Sequence, residues 1–453
     1  MSESDVIIIG AGAAGLAAAR YLSNHGRIAI LLEARDRIGG RILTIRDSQL
    51  NMPVELGAEF IHGQPEATWA LLREANLSAF DLPFEQYQLA RGRLVHLGEE
   101  NPEMEKVMAG LSRLGPKDMS FSDYLNTAAA KKASPAARRF ARDFVEGFDA
   151  ADPDRISAKA LAEEQEGLGD VEEETQFRLL DGYGALMNWM ADSLDRKRVK
   201  VFLNTVVSEI RWRKSNVEVI ASTSGRKETF RGRRAIMTLP IGVLQLPPVA
   251  RGAVRFSPDI ADFRATAMQL AAGAVVKAVL RFREPFWEDP AVARAARAGK
   301  ELRDAVFFYS TGLPFPTWWT MRPLRVPVLT AWAGGPSAHA LSGLSEDELI
   351  AAAIETLRQL FHISPRKLRS LLEHVYIHDW INDPYSRGAY SYVTVGGISA
   401  RSKLSRPIEG TLFFAGEAID TAGQASTVAG ALSSGRRAAE RVIKSLNRYP
   451  GQV

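Results

Sequence analysis

Apolar residues cluster at both ends of the chain in short unbroken runs. Val6 to Ile9 precede a glycine-rich turn and a run rich in alanine and leucine, and a second apolar run covers Ile28 to Leu32. An apolar run without alternation is typical of a strand buried on both faces, as in a parallel sheet. The pattern predicts a strand, a turn, a helix over about Ala13 to Asn24, and a second strand. Near the other end, LFFAGEAID and the residues after Thr427 predict strand, glycine loop and helix.

The middle of the chain changes pattern three times. Residues 67–195 are predicted to be mostly helical, with ATWALLREANL and GALMNWMADSL as the most periodic segments. Strands are predicted at VKVFLNTVVSEIRW, VEVIAS and RAIMTLP. A mixed region follows to about residue 400, with the strand AVVKAVLRF and the helix SEDELIAAAIETLRQLF. The first and last segments therefore belong to one sheet that inserted material separates in sequence.

The turn after the first strand contains Gly10, Gly12 and Gly15 in the spacing G-x-G-x-x-G. The first glycine permits a tight turn, the second lets a pyrophosphate approach the backbone at the positive end of the helix, and the third lets helix and strand pack closely. Glu33 ends the second strand, roughly 20 residues further on, where a carboxylate accepts hydrogen bonds from ribose hydroxyls. These residues predict a dinucleotide site.

Two further segments indicate a long dinucleotide. RIGGR places Gly40 and Arg41 soon after Glu33, and at the far end Gly416 and Glu417 follow a strand. A helix that begins near Thr427 would direct its N-terminus at the pyrimidine edge of a flavin and stabilise the negative charge that collects there on reduction. FAD fits this arrangement.

NADP is disfavoured by Glu33, although Arg35 leaves it open. At 453 residues the chain is longer than one hydrophobic core usually supports. We therefore predict an α/β protein (α+β overall), with a Rossmann-type FAD-binding domain and an interleaved substrate-binding domain of mixed sheet and helices. The first domain is assigned to 1–66, 196–250 and 406–453, and the second to 67–195 and 251–405.

Composition excludes several classes of function. The 57 basic and 53 acidic residues are interspersed and give a net charge of +4, which does not favour nucleic-acid binding. The absence of cysteine excludes disulfides and thiolate sites. No apolar stretch approaches a membrane span and no leader is recognisable, so we expect a cytoplasmic protein. His374 and His378 lie in a predicted strand, roughly 13 Å apart, and no metal site is expected.

Five blocks, in order along the chain, resemble the flavin-containing amine oxidases, a family that includes monoamine oxidases, polyamine oxidases and flavin-dependent histone lysine demethylases. The blocks are GAGAAGLAAA with LLEARDRIGGR, ELGAEFIHG, GAVVKAVLRFREPFW, DPYSRGAYSYVTVG, and LFFAGEAID with STVAGALSSGRRAA. They extend from residue 6 to about residue 440. The polyamine oxidases are the most similar in motif.

The resemblance implies two catalytic residues. Lys277 matches the lysine that holds a water against flavin N5 and assists reoxidation by oxygen. Strand alternation alone would place Lys277 on a polar face with Arg281, opposite an apolar face, as an ordinary surface lysine. Tyr390 matches the aromatic residue that stands before the flavin and flanks the substrate amine.

The resemblance also implies substrate contacts. Trp380 and Tyr385 match pocket aromatics, and Thr427 occupies the position where monoamine oxidases have a second tyrosine. His62 matches a substrate-facing position of polyamine oxidases. Asp149 aligns with an acid near the tunnel mouth, where it would bind a distal ammonium, since each extra ammonium must be paired or left in water.

Leu56, Gly57 and Ala58 match backbone that lies along the isoalloxazine ring. The resemblance extends the cofactor site to further residues: Ala14, Ala34, Arg35, Glu59, Val207, Thr427 and Val428. FAD is expected to be noncovalent, because the cysteine that tethers it in monoamine oxidases is absent and Ala389 precedes Tyr390.

The resulting hypothesis is an FAD-dependent amine oxidase. Hydride would pass from the carbon beside a neutral amine to flavin N5, the imine would hydrolyse to an aldehyde, and oxygen would become hydrogen peroxide. The expected partners are a small amine, of the polyamine or alkylamine class, and oxygen. The sequence leaves the oligomeric state open. It also leaves two alternatives: another flavin oxidase, such as an L-amino acid oxidase or a desaturase, with Arg387 as a carboxylate ligand, and a noncatalytic flavoprotein binding module.

Overall fold

Strands and helices alternate irregularly through residues 4–97, 102–168 and 175–448, the part of the chain that the computed structural model describes. The strands of this part, in chain order, are β1 (Ser4–Ile9), β2 (Ala29–Leu32), β3 (Thr44–Asp47), β4 (Met52–Glu55), β5 (Phe60–His62), β6 (Ala79–Asp81), β7 (Gln86–Ala90), β8 (Arg93–Leu97), β9 (Gln176–Leu179), β10 (Val199–Phe202), β11 (Thr205–Arg213), β12 (Asn216–Thr223), β13 (Arg226–Met237), β14 (Arg255–Ser257), β15 (Leu270–Ala272), β16 (Val275–Phe282), β17 (Phe307–Tyr309), β18 (Thr317–Thr320), β19 (Val328–Gly334), β20 (Leu372–Ile377), β21 (Ser391–Val393) and β22 (Leu412–Phe414).

The helices of the same part are α1 (Ala13–Asn24), α2 (Glu66–Ala75), α3 (Pro102–Ala109), α4 (Phe121–Leu125), α5 (Pro135–Phe148), α6 (Ala158–Leu168), α7 (Tyr183–Asp192), α8 (Ile241–Leu244), α9 (Ala261–Ala267), α10 (Pro290–Ala295), α11 (Gly335–Leu341), α12 (Glu346–Phe361), α13 (Pro365–Leu371), α14 (Ala400–Leu404) and α15 (Val428–Arg448). Single 3-10 turns span Leu111–Arg113, Ala130–Lys132, Phe286–Glu288 and Glu417–Ile419.

The first sheet has a parallel half in the order β10-β2-β1-β13-β22. Along β1, Val6 and Ile8 contact the core under α1 and α15, whereas Ile7 and Ile9 contact the core on the opposite face. The strand is therefore buried on both faces, as its unbroken apolar run predicts. The first half of β13 pairs antiparallel with β12, and β11 and β14 extend this side of the sheet.

The second sheet has the order β20-β16-β19-β18-β17-β7-β8. In β16 the alternation is as expected, because Val276, Ala278, Leu280 and Phe282 lie in one core cluster with residues of α12. The opposite face carries Lys277, which stands across from Trp332 of β19. A small sheet has the order β5-β9-β6 and joins residues 60–62 and 79–81 to residues 176–179.

The predicted α/β fold class, with a nucleotide-binding sheet and a second mixed sheet, is confirmed. The prediction that residues 67–195 are mostly helical is incomplete, because four strands fall there: β7 and β8 belong to the second sheet, and β6 and β9 belong to the small three-stranded sheet. The run VKVFLNTVVSEIRW is two strands, since Asn204 at φ 51° turns the chain between them. The domain boundaries stay a prediction.

The described residues contain neither a membrane-spanning helix nor a metal-binding cluster. None of their helices is long and apolar enough to cross a membrane. They also contain no group of three or more histidines, cysteines or acids that could hold a metal ion.

Candidate functional site

A deep cleft opens at the carboxyl ends of β1, β2 and β13, and it encloses about 1380 Å³ of space, its open mouth included. Most of the residues predicted to bind cofactor or substrate line it: Gly10, Gly12, Ala14, Glu33, Ala34, Arg35, Gly40, Arg41, Leu56, Gly57, Ala58, Val207, Trp380, Tyr385, Tyr390, Gly416, Glu417, Thr427 and Val428. Five predicted residues lie outside its walls: Gly15, Glu59, His62, Asp149 and Lys277.

The glycine turn forms the floor of the cleft. Gly10 has φ 105°, and a Cβ there would lie 2.5 Å from the Thr238 hydroxyl. A Cβ on Gly15 would lie 1.9 Å from the Gly10 carbonyl oxygen, so this glycine serves the contact of helix with strand. Helix α1 follows Gly12 with no capping side chain. Its first amide groups are therefore left for a ligand, and pyrophosphate oxygens are suitable acceptors.

Glu33 is fixed in the wall at the end of β2. Its Oε2 accepts a hydrogen bond from the Ala11 amide at 2.8 Å, and its Oε1 accepts one from the Arg35 amide at 3.0 Å. A carboxylate has further lone pairs, which ribose hydroxyls can use. The Arg35 side chain is occupied, since its Nη2 donates to Asp383 at 2.7 Å and to Ser386 at 2.8 Å. This arrangement favours a plain ribose over the phosphorylated ribose of NADP.

The opposite wall joins distant parts of the chain. Arg41 Nη1 donates to Glu417 Oε1 at 2.8 Å and to the carbonyl oxygen of Ala389. The second oxygen of Glu417 accepts a hydrogen bond from the Ser391 hydroxyl at 2.7 Å. Gly416 has φ 135°, and a Cβ there would meet open space. The residues present thus fit a dinucleotide that extends from the glycine turn to the loop after β22.

Aromatic rings line the part of the cleft beyond this wall: Trp332, Trp380, Tyr385 and Tyr390. Trp380 Nε1 donates to the Leu56 carbonyl at 2.8 Å, which fixes the indole. The Tyr390 hydroxyl donates to the Phe148 carbonyl at 2.5 Å. Burial raises the pKa of Tyr390, and the nearby charge of Asp149 adds to the rise, so the phenol stays neutral. Thr427 accepts a hydrogen bond from the Gly430 amide and caps α15.

Asp149 and His62 lie outside the cleft walls, Asp149 close to Tyr390 and His62 in contact with Phe148. Asp149 ends α5, and within the described residues its carboxylate has no hydrogen bond or ion pair. Burial raises its pKa well above the usual range, Glu164 adds to the rise and Arg401 opposes it. The His62 ring lies 5.4 Å from that of Phe148, edge to face, and burial lowers the pKa of His62 to about 4. The His62 imidazole is thus neutral above about pH 5.

Lys277 is 2% exposed and lies one layer behind the wall of the cleft. Its Nζ donates to the Gly57 carbonyl at 3.2 Å and to Glu59 Oε2 at 2.7 Å. Arg178 Nε donates to the other oxygen of Glu59 at 2.7 Å, and Trp319 Nε1 also donates to this carboxylate. Lys277 is therefore not a solvated lysine on a polar face. Glu59 contacts this lysine, and its predicted contact with the cofactor stays a prediction.

Three further residues belong to this site, although no motif in the sequence marks them. Thr238 directly follows β13, so the carboxyl end of that strand was the available signal. Trp332 faces the cleft because β19 pairs in register with β16, and Arg178 reaches Glu59 because β9 pairs with β5. Neither pairing has a signal in the local sequence.

Comparison with known proteins gives consistent results. The family model for flavin-containing amine oxidoreductases matches residues 13–443. Polyamine oxidase 5 of Oryza sativa subsp. japonica is 28% identical over 485 residues, which cover 99% of this chain and 90% of that protein. Lysine-specific histone demethylase 1 homolog 3 of Arabidopsis thaliana is 28% identical over 529 residues. The match covers the whole of this chain but only 31% of that protein.

Two solved structures share the fold. Putrescine oxidase bound to putrescine superposes with a TM-score of 0.79 at 22% identity, over 98% of this chain and 99% of that one. Cyclohexylamine oxidase from Brevibacterium oxydans also gives 0.79, at 20% identity, over 99% and 100% of the two chains. With a family match over nearly all of its residues, this chain belongs to the flavin-containing amine oxidoreductases and is an FAD-dependent enzyme that acts on amines.

Proposed function

We propose that this protein oxidises a polyamine or related alkylamine with oxygen as the electron acceptor. The products would be an imine, which water hydrolyses to an aldehyde and an amine, and hydrogen peroxide. The observation that carries the proposal is the position of Asp149, an acid without a partner among the described residues, close to Tyr390, which is part of the aromatic wall of the cleft. Such a carboxylate favours a ligand with a second ammonium group.

The glycine turn, Glu33 and Glu417 would hold FAD, which would supply a hydride acceptor when bound. The protein must present the amine in its neutral form, and the aromatic wall serves this in two ways. The ring faces attract the cation as it enters. The dry surroundings of Tyr390 and Trp332 then disfavour the charged form and lower the pKa of the amine.

Lys277 is the proposed proton carrier for the reduction of oxygen. Its ammonium donates to the Gly57 carbonyl, and Gly57 itself forms part of the cleft wall. The side chain would hold a proton next to the part of the cleft wall that Gly57 forms. We propose that FAD is held without a covalent bond, since the chain has no cysteine and Ala389 precedes Tyr390.

The alternatives have less support. An amino acid oxidase needs a cation for the substrate carboxylate, and Arg387, the candidate, is absent from the residues that line the cleft and donates instead to the Arg251 carbonyl at 3.2 Å. The names of the relatives include both polyamine oxidases and histone demethylases. The 90% coverage of the polyamine oxidase favours the small amine over a histone tail.

Anaerobic bleaching of the flavin absorbance tests the proposal. The panel contains spermine, spermidine, acetylated polyamines, putrescine, benzylamine and several L-amino acids. Rapid bleaching by a compound with two or more amino groups, and slow bleaching by benzylamine, is the expected result. Bleaching by an L-amino acid alone would replace the proposal with the amino acid oxidase. If no compound reduced the holoenzyme, the remaining hypothesis would be a noncatalytic flavoprotein that serves as a binding module.

A further inference from the structure

A second, small cavity lies beside Glu59, the carboxylate that pairs with Lys277. Its polar walls are Glu55, Glu59 and Arg178, and its outer wall includes Gly182 and Leu180, which is 45% exposed. Its volume is about 20 Å³. A site of this size with several polar partners can hold one water molecule. The cavity therefore lies between Glu59 of the Lys277 ion pair and Leu180 at the protein surface.

Glu55 is held at this cavity by two hydrogen bonds. Its Oε1 accepts one from the Tyr183 amide at 2.6 Å, and its Oε2 accepts one from the Thr44 hydroxyl at 2.7 Å. A Cβ on Gly182 would lie 2.7 Å from Glu55 Oε1, so the glycine leaves room beside the carboxyl group. Two charged groups act on Glu55: Lys277 lowers the pKa of Glu55, and Glu59 raises it.

We propose that this cavity is a proton route, in which Glu55, one water and Glu59 resupply Lys277 from solvent while FAD and substrate fill the cleft. Glu55 and Glu59 are positioning residues, because they act through Lys277 and do not touch the cofactor. The proposal rests on the proton-carrying role proposed above for Lys277. Burial, which raises the pKa of Glu55 to about 7, keeps a proton available there near neutral pH.

The protons balance as follows. Reduction of one oxygen molecule to hydrogen peroxide takes two electrons and two protons; the reduced flavin would supply both electrons and one proton, and Lys277 would supply the other proton. When the Lys277 ammonium gives up a proton toward the cleft, its N–H bond breaks and a neutral amine remains. Glu55 then gives a proton to the cavity water as that water gives one to the Glu59 carboxylate, and Glu59, protonated in this way, passes the proton to the amine. Solvent reprotonates Glu55, so one proton has entered and each residue is restored.

The first test compares wild type with Glu55→Gln, which keeps size but removes the titrating proton. Holoenzyme is reduced by light, so that no amine is needed, and mixed with oxygenated buffer from pH 6 to pH 9. We expect wild-type reoxidation to slow as pH rises through about 7. The variant should lose this dependence and reoxidise at least about 10-fold more slowly at pH 6. Equal rates and equal pH profiles would overturn the proposal.

A second readout needs no turnover. The infrared difference spectrum of oxidised holoenzyme between pH 6 and pH 8 should show the C=O stretch of a carboxylic acid that disappears at the higher pH. Glu55→Gln should lack this band. A wild-type protein without the band at pH 6 would contradict the proposal.

Leu180 offers a matched pair at the mouth of the cavity. Leu180→Trp should block it and slow photoreduced reoxidation, whereas Leu180→Ala leaves it open and should match wild type. Equal rates in both variants would overturn the proposal, even if Glu55→Gln failed to fold. Lys277→Met distinguishes the two proposals: unchanged reoxidation in that variant would refute the role of the lysine, whereas slow reoxidation there with normal Glu55 and Leu180 variants would refute only the cavity.

Discussion

Lys277 and Glu59 form an ion pair, 2.7 Å between Nζ and Oε2, in which the two side chains are 2% and 5% exposed. Arg178 lies at the same 2.7 Å from the other oxygen of Glu59 and is 3% exposed. One carboxylate thus serves two buried cations. Neither cation could keep its charge at low cost if the carboxylate were lost, because burial of an unpaired charge is strongly unfavourable.

Glu59→Gln should lower the free energy of unfolding by about 3–5 kcal/mol, since it leaves Lys277 and Arg178 facing each other without a counter-charge. Denaturant unfolding of the holoenzyme measures the change. The control is the double variant Glu59→Gln with Lys277→Met, which removes one cation as well. We expect it to be more stable than the sum of the single changes predicts. Additive effects would show that the ion pair makes no energetic contribution.

Lys277→Met should retain FAD and still be reduced by amines, because no cleft-lining residue changes. Its reoxidation by oxygen should be about 100-fold slower, the usual effect of removing a positioned proton donor. Stopped-flow measurement of the two half-reactions separates these effects. A variant with slow reduction and normal reoxidation would place the lysine in substrate oxidation instead.

Asp149→Asn should lower kcat/KM for putrescine roughly 10- to 100-fold, through loss of a charge-assisted hydrogen bond, and leave benzylamine oxidation nearly unchanged. Burial raises the pKa of Asp149, so protonation at low pH should oppose the binding of a second ammonium to its carboxylate. In wild type, kcat/KM for putrescine should therefore rise with pH relative to that for benzylamine. A parallel loss for both substrates would indicate a structural role only.

Glu55→Gln should change how stability depends on pH. The folded-state pKa of Glu55 is raised from the usual 4.5 to about 7, so its contribution to stability is present below about pH 4.5 and is lost as pH rises to about 7. The variant cannot lose a proton there. Its free energy of unfolding should gain up to about 3 kcal/mol on wild type across that interval. Glu301→Gln, at an exposed acid, should show no such gain, and a flat difference for Glu55→Gln would contradict the prediction.

His62 should not titrate in the working range of the enzyme. Burial lowers its pKa to about 4, so the imidazole is neutral above about pH 5 and kcat/KM should show no break from it near pH 6.5. NMR titration, with the His62 signal assigned by a His62→Asn variant, measures this directly. A resonance that shifts near pH 6.5 would show that water or a charge reaches the ring.

The sequence predicts elements well where the signal is local. The sequence predicts helix α1 at about residues 13–24, and the helix spans Ala13–Asn24, because the glycine turn fixes its start. The alternation of side chains along β16 likewise predicts its apolar face correctly. The surroundings of Lys277 were not predictable, since Glu59 and Arg178 meet only through the pairing of three-residue β5 with β9, and those residues are 119 apart in sequence. Pairings of such short strands depend on the tertiary core rather than on any local pattern.

The pairing of β22 with β13 has a consequence for biosynthesis. Residues 412–414 complete the sheet beside residues 235–237, and Gly435 of α15 approaches the backbone of α1 so closely that a Cβ would lie 2.1 Å from the Ala14 carbonyl oxygen. During translation the earlier strands must wait for about 175 further residues, roughly 10–35 s at ordinary ribosome speeds. The groove for FAD thus closes only after β22 and α15 have been synthesised, and the nascent chain should acquire its flavin after that point.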